Sequence, residues 1–281
     1  MKQLYNNPVM NKEFKLRFRT EKSFLGIFFY LFALGLIGIG FIYMQTLTSQ
    51  YGYFRPDESR IMFYVLSYLQ LVLLLFTIPG LTAGVISGER EKQTLNILLT
   101  TTQSSLSIVF GKLFSSLSYL LILMISSLPL YSFVFLFGGI SPFQLVSVFL
   151  IYILTIFSLG SVSVYFSTII RKTIVSTIIA YGVMLFLALG TALLFGISIS
   201  ISTNWFGASS SHPIPYLFAV LNPFMVMLSV FEPSFSDQMN KLFFNIDLPL
   251  WIPYTILYLL MFFLSMMGSV KRLRPNMKQR K

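Results

Sequence analysis

"FLGIFFYLFALGLIGIGFIYM", residues 24–44, carries no charge and no proline. A helix that crosses a bilayer needs about 20 consecutive, mostly apolar residues, and this run supplies them. It is too long for a cleaved signal, and no small-residue cleavage site follows it. Five more runs of the same kind lie at Ile61–Ser87, Leu113–Phe137, Phe143–Ile170, Ile174–Ile201 and Leu250–Val270. The whole chain of 281 residues is 56% hydrophobic and 10% charged. A soluble domain carries about 25% charged residues, so this composition excludes an ordinary soluble core. The chain reads as an all-α polytopic membrane protein with six transmembrane helices.

Two linkers are very short, "GGISP" (138–142) and "RKT" (171–173), so the third, fourth and fifth spans are expected as antiparallel neighbours. The stretch "PYLFAVLNPFMVMLSVF" (215–231) is apolar, but Asn222-Pro223 interrupts it. It reads either as a seventh span or as a broken helix that dips in and returns. Charge separates the two. With six spans, one side holds seventeen Lys and Arg, and the other holds only Arg55, Arg60 and Lys241. The positive-inside rule then places both termini in the cytoplasm. A seventh span would move the basic tail after Lys271 outside. Residues 202–249 are therefore expected as an external loop with a re-entrant or interfacial hairpin, followed by the last span and a basic tail at 271–281.

The net charge of +11 does not form one stripe. It flanks apolar spans, which argues against nucleic acid as a partner and for the lipid bilayer. Before the first span, "NPVMNKEFKLRFRTEKS" (7–23) interleaves Lys12, Lys15, Arg17, Arg19 and Lys22 with Val9, Phe14, Leu16 and Phe18. That mixture suits a helix lying in the cytoplasmic interface, with the basic residues as anchors. The alternative is a plain basic tail.

Several chemistries are missing from the sequence. There is no cysteine and a single histidine, His212, in the loop-like "SSSHPIP". No G-x-x-x-x-G-K-[ST] loop, H-E-x-x-H or paired-carboxylate motif occurs. All acidic residues, and all Lys and Arg, fall outside the spans as drawn, with Lys112 closest, at the head of the third. Intramembrane ionisable groups usually mark ion or proton paths, so an ion-coupled transporter is disfavoured. No enzyme activity, cofactor or metal site is expected in this chain.

One charged stretch stands out, "SGEREKQTLNILLTT" (87–101), placed by this topology on the cytoplasmic side between the second and third spans. Gly88 can act as its N-cap, which sets Glu89 and Glu91 in a first helical turn where carboxylates are favoured. Leu95, Leu98 and Leu99 follow at i, i+3 and i+4 and form one apolar face. Such a short amphipathic helix fits a groove on a partner, or rests on lipid, or simply turns the chain between two spans.

With its continuation, "SGEREKQTLNILLTTTQSSLSIVFGKLFSS" resembles the segment between the second and third spans of ABC-2 type transporter permeases. The likeness rests on Glu89-Arg90-Glu91, Thr94-Leu95, Leu98-Leu99 and Gly111-Lys112. The six-span layout, the basic N-terminal element and the broken hairpin before the last span are similar too. Two positions depart from the pattern: Gln93 stands where glycine is common, and Thr102-Gln103 where Thr-Pro is common. The resemblance implies that 87–101 is a coupling helix docked on a separate ATPase subunit, through Glu89, Arg90, Glu91, Lys92, Thr94, Leu95 and Leu98. It implies ATP and Mg2+ in that partner rather than here. It further implies two ATPase copies, a second permease chain, identical or related, and outward transport across a bacterial plasma membrane. The absence of fixed charge in the spans favours a hydrophobic or amphipathic cargo. A non-transporting membrane scaffold or sensor, and an ion-coupled secondary transporter, are the competing readings.

Overall fold

The computed structural model describes residues 13–15, 18–19, 21–48, 56–100, 103–205, 213–242 and 248–273. His212, Arg55, Asp247, Lys12, Arg17 and the tail from 274 lie outside the described residues, as does the side chain of Lys22. The described residues contain helices and turns and no strand. In chain order the helices are α1 (Glu21–Thr48), α2 (Pro56–Thr82), α3 (Ser87–Glu91), α4 (Leu95–Thr100), α5 (Ser105–Ser126), α6 (Leu128–Leu136) and α7 (Pro142–Ile169). They continue with α8 (Thr173–Leu185), α9 (Thr191–Trp205), α10 (Pro213–Leu221), α11 (Pro223–Phe231), α12 (Pro233–Leu242) and α13 (Trp251–Leu273).

Six helical stretches are long and apolar enough to cross a membrane: Ser23–Leu47, Pro56–Glu91, Ser105–Leu136, Pro142–Ile169, Thr173–Ser202 and Trp251–Leu273. The protein is a multi-pass membrane protein. Its outer faces show why. Phe24, Phe28, Phe29 and Ile39 of span 1 are 63%, 60%, 59% and 72% exposed, an apolar surface suited to lipid rather than to water. Span 1 is peripheral and packs on spans 2 and 3. Span 4 is the axis of the bundle, packed against spans 2, 3, 5 and 6 and against α11.

Each boundary has a local cause. Ser141 caps α7 by accepting from the Gln144 amide at 3.2 Å, while the Gln144 side chain accepts from the Ser141 amide at 3.4 Å. Pro142 follows at the first helical position, where its missing N–H is harmless. The linker before it is as tight as its length requires. Gly139 has φ +88°, and a Cβ on it would lie 2.3 Å from the Pro56 carbonyl oxygen. Its own carbonyl accepts from Arg60 Nε at 3.3 Å, so the loop after span 3 sits on the start of span 2.

The spans are longer than the apolar runs that mark them. Span 2 reaches Glu91, and span 3 starts at Ser105 rather than Leu113, with a break at Ser127. Lys112 is therefore inside the third helix and 3% exposed, not outside it as expected. Span 5 contains one π-helical turn, Phe186–Gly190. The stretch 213–231 is two helices, α10 and α11, bent by 98° at Asn222. A bend of this size suits a broken span and a re-entrant loop alike. Asn222 is fully buried, and its carboxamide oxygen caps α11 by accepting from the amides of Phe224 (2.8 Å) and Met225 (3.3 Å). Its Nδ2 donates to the Ala188 carbonyl at 2.8 Å and Thr191 Oγ1 at 2.9 Å, in and just after the π turn. Two tyrosine hydroxyls hold the ends of the two helices: Tyr258 donates to Leu221 O at 3.1 Å, and Tyr64 to Phe231 O at 3.2 Å. Helix-end carbonyls lack partners within the helix, and in an apolar setting side chains must supply them.

Candidate functional site

The stretch from Ala83 to Thr94 is a junction where five elements meet. Span 2 loses regular α geometry after Thr82, although the Ala83 amide still bonds Pro79 O at 2.9 Å. The chain turns through 83–86 and resumes as α3. Gly88 is not the N-cap expected: its amide already bonds Gly84 O at 2.9 Å, and Ile86 caps α3 without a side-chain bond. The turn is held from span 4 instead. Ser167 Oγ accepts from the amides of Ile86 and Ser87, both at 2.9 Å. Span 5 approaches closely from the other side. A Cβ on Gly84 would meet Thr173 Cγ2 at 2.9 Å, and Ser176 Oγ donates to Ala83 O at 2.8 Å.

The charged residues of α3 each reach a different span. Glu89 Oε1 accepts from Lys112 Nζ of span 3 at 2.9 Å. The same ammonium donates to Glu13 Oε1 at 2.9 Å. Its burial is thus met by two carboxylates whose side chains are about 27–30% exposed, which is what a buried ammonium needs. Arg90 Nη2 donates to the Thr168 carbonyl at 3.0 Å, near the end of span 4. Glu91 accepts from the Thr173 amide at 2.8 Å and from the Thr173 hydroxyl, so it acts as an N-terminal cap for span 5.

The segment then breaks. The expected single helix carrying both the charges and the leucines is instead two, α3 and α4, separated at Gln93. Gln93 has φ 60°, a left-handed conformation that glycine adopts freely. Thr94 folds back over the break: its amide donates to Glu89 O at 3.0 Å and its hydroxyl to the Glu89 carboxylate. Leu95 is 6% exposed and faces the protein's own core, and Leu99 packs partly against the same core. The Leu98 side chain lies outside the described residues. Lys92, Gln93 and Thr94 are exposed, so the open face is the bend itself rather than the leucine side.

The described part of the N-terminal element joins this junction. Residues 13–15 form a helical turn. Phe14 and Phe18 lie 4.6 Å apart between ring centroids, the i, i+4 spacing of a helix rather than the alternation their sequence suggests. Phe18 reaches Tyr119 of span 3 at 6.1 Å. Lys15 and Arg19 are exposed. The Gly268–Tyr165 contact puts the end of span 6 beside the end of span 4, so residues 13–15 and 18–19, the 83–94 junction, 170–173 and 268–273 share one end of the bundle.

Fold and junction define a six-span membrane protein whose charged segment between spans 2 and 3 is braced to spans 3, 4 and 5. No protein-family model matches the chain, and no curated protein is significantly similar to it.

The sequence missed Glu13, Thr168, Thr173, Ser167 and Lys112 as members of this junction. Only Lys112 carried a signal, as a basic residue followed immediately by an apolar run.

Proposed function

We propose that the chain is the membrane-spanning permease of an ATP-driven ABC-2 type exporter, powered by a separate cytoplasmic ATPase that docks at the bend of residues 91–94. The observation that carries this reading is the bracing of α3. Force applied at an exposed bend would pass through Glu89 to span 3, Arg90 to span 4 and Glu91 to span 5. A loop that merely turned the chain would need no such ties. Gln93 supports the reading from a second side. The departure from the ABC-2 pattern, Gln for Gly, falls at the one described non-glycine residue with positive φ. The chain keeps the backbone shape that a glycine there would give.

In this reading Lys92, Gln93 and Thr94 contact the ATPase, and Glu89, Arg90 and Glu91 transmit. The end of the bundle that gathers Lys15, Arg19, Arg90, Lys92, Arg171, Lys172, Lys271 and Arg272 is the cytoplasmic one. Closure of two ATPase copies would bias two permease chains between packings of their spans, and the cargo would be hydrophobic or amphipathic.

The test is co-expression with a short phosphate-binding-loop ATPase encoded beside this chain, followed by co-purification in nanodiscs. Wild type should bring down an active ATPase. Lys92→Glu/Gln93→Glu should lose it while the isolated chain still folds, because both side chains are exposed. Equal recovery by the variant removes the docking assignment. Failure of wild type to bind any such ATPase favours a membrane scaffold or sensor.

A further inference from the structure

Between the N-terminal halves of spans 4 and 6 and helix α12 lies a cavity of about 1100 Å³. Along span 4 it extends from Phe143 to Ser158, about 22 Å at the helical rise per residue. One side opens to the outer face of the bundle, where Leu150 and Leu259 are 59% and 43% exposed. Leu154, Phe157 and Phe262 complete an apolar wall suited to an alkyl or aromatic body.

Its lining holds one carboxylate and, among the described residues, no basic side chain. Ser236, Asp237 and Asn240 line it from α12, at i, i+1 and i+4. Asn240 is 7% exposed, and its Oδ1 has no hydrogen-bond partner among the described residues. Ser158, deeper along span 4 and fully buried, leaves its Oγ without a partner too. Other hydroxyls have already given their protons to backbone carbonyls: Ser147 to Phe143 at 2.8 Å, Thr255 to Trp251 at 2.6 Å, Ser229 to Val226 at 2.6 Å. What they still offer is lone pairs. None of the described lining residues is basic, and Asp237 adds a carboxylate. A buried acceptor left unpaired is costly, so an occupant that brings donors is favoured.

We propose that this cavity binds a cationic amphiphile: an apolar chain or ring system bearing a protonated amine, with the body along Leu150, Leu154 and Phe262 and the ammonium at Asp237 and Asn240. An ammonium supplies donors and a positive charge to a lining that has acceptors and a negative one. A phosphate or sulfate head would meet the Asp237 carboxylate with no described Lys or Arg in the lining to offset it. The site belongs to this chain alone and stands whether or not an ATPase docks; where the exporter reading holds, it names the class of cargo.

The test uses the full chain in nanodiscs of zwitterionic lipid. The sequence has two tryptophans, and Trp205→Phe leaves Trp251, on the cavity wall, as the single reporter. Brominated dodecylammonium, dodecyl sulfate and dodecanol are titrated separately, and Trp251 quenching is followed. Saturable quenching by the ammonium alone is expected. Asp237→Asn, an exposed position, should raise its half-saturation about tenfold, the loss of one charge-assisted hydrogen bond. Asn240→Leu should raise it as well, with melting checked to be unchanged. Equal quenching by all three probes means partition into lipid and overturns the proposal. So does quenching by the ammonium that Asp237→Asn leaves unaltered, or tighter binding of the sulfate.

Discussion

The junction around Glu89 and the junction around Asn222 both tie a break in the chain to neighbouring spans, yet they share almost no chemistry. At the first, neutral serine bonds hold the turn, but Glu89, Arg90 and Glu91 add ionic or charge-assisted ties; Glu91 and Lys92 are exposed, and of its charged residues only Lys112 is deeply buried. At the second, Asn222 and Thr191 are fully buried and uncharged. Asn222 matches donors to acceptors on both sides of its carboxamide, so nothing is left over. The difference follows from where water reaches. In an apolar interior a neutral group that satisfies all its bonds is tolerated, whereas a charge must be paired or placed at an end. An end junction built from charges can be rearranged by a partner or by salt. A sealed carboxamide pins its helices in one arrangement.

Lys112 puts the contrast under the greatest load. Replacing both of its acids, as Glu13→Leu/Glu89→Leu, leaves a buried ammonium with no counter-charge and should cost about 3–5 kcal/mol. Adding Lys112→Met should restore most of that loss, because the charge itself is gone. Melting temperature in neutral detergent reads both steps. A triple variant no more stable than the double would show that packing, not charge, sets the cost.

Asn222→Leu comes next, at roughly 2–3 kcal/mol, from a lost cap and unpaired backbone groups. Hydrogen exchange should quicken at the amides of Phe224 and Met225. Asn222→Asp keeps the cap acceptor but sets a carboxylate against the Ala188 carbonyl, and should be at least as damaging. Raising salt to about 0.5 M, where the screening length is only a few ångströms, should leave the Asn222→Leu loss unchanged while altering the loss at the charged junction. Equal salt response at both sites would erase the distinction between them.

The two junctions were also unequally legible. Asn222-Pro223 announces its break, since proline cannot continue the preceding ladder and asparagine is a good cap. The six spans were visible because a chargeless apolar run of bilayer length is stable in lipid and has no comparable place in a soluble domain. The π turn at 186–190 has no residue signature in "FLALG" and could not be read. At the charged end, the residue types stood out but their partners did not. Glu13 is 99 positions from Lys112, and Thr173 is 82 from Glu91. Such pairings depend on how spans pack, which local periodicity does not encode. The leucines of 95–99 read as a partner-facing stripe, but Leu95 turns inward because the chain bends two residues earlier.

That bend yields the smallest of the expected effects. A non-glycine residue in the left-handed region costs about 1 kcal/mol relative to glycine. Gln93→Gly should therefore raise stability by up to about 1 kcal/mol if φ stays near 60°, offset in part by the freer unfolded chain. Gln93→Val should lower stability, since a β-branched side chain tolerates positive φ least. The Gln93 side chain is exposed, so packing contributes little to either change. If Gly and Val behave alike, the left-handed turn is not held in solution, and α3 and α4 run as one helix that carries its leucines outward. If Gly stabilises and Val destabilises, the bend is real. The charged junction then owes its shape to one strained residue held by Thr94, whereas the Asn222 junction needs no strained residue to hold its break.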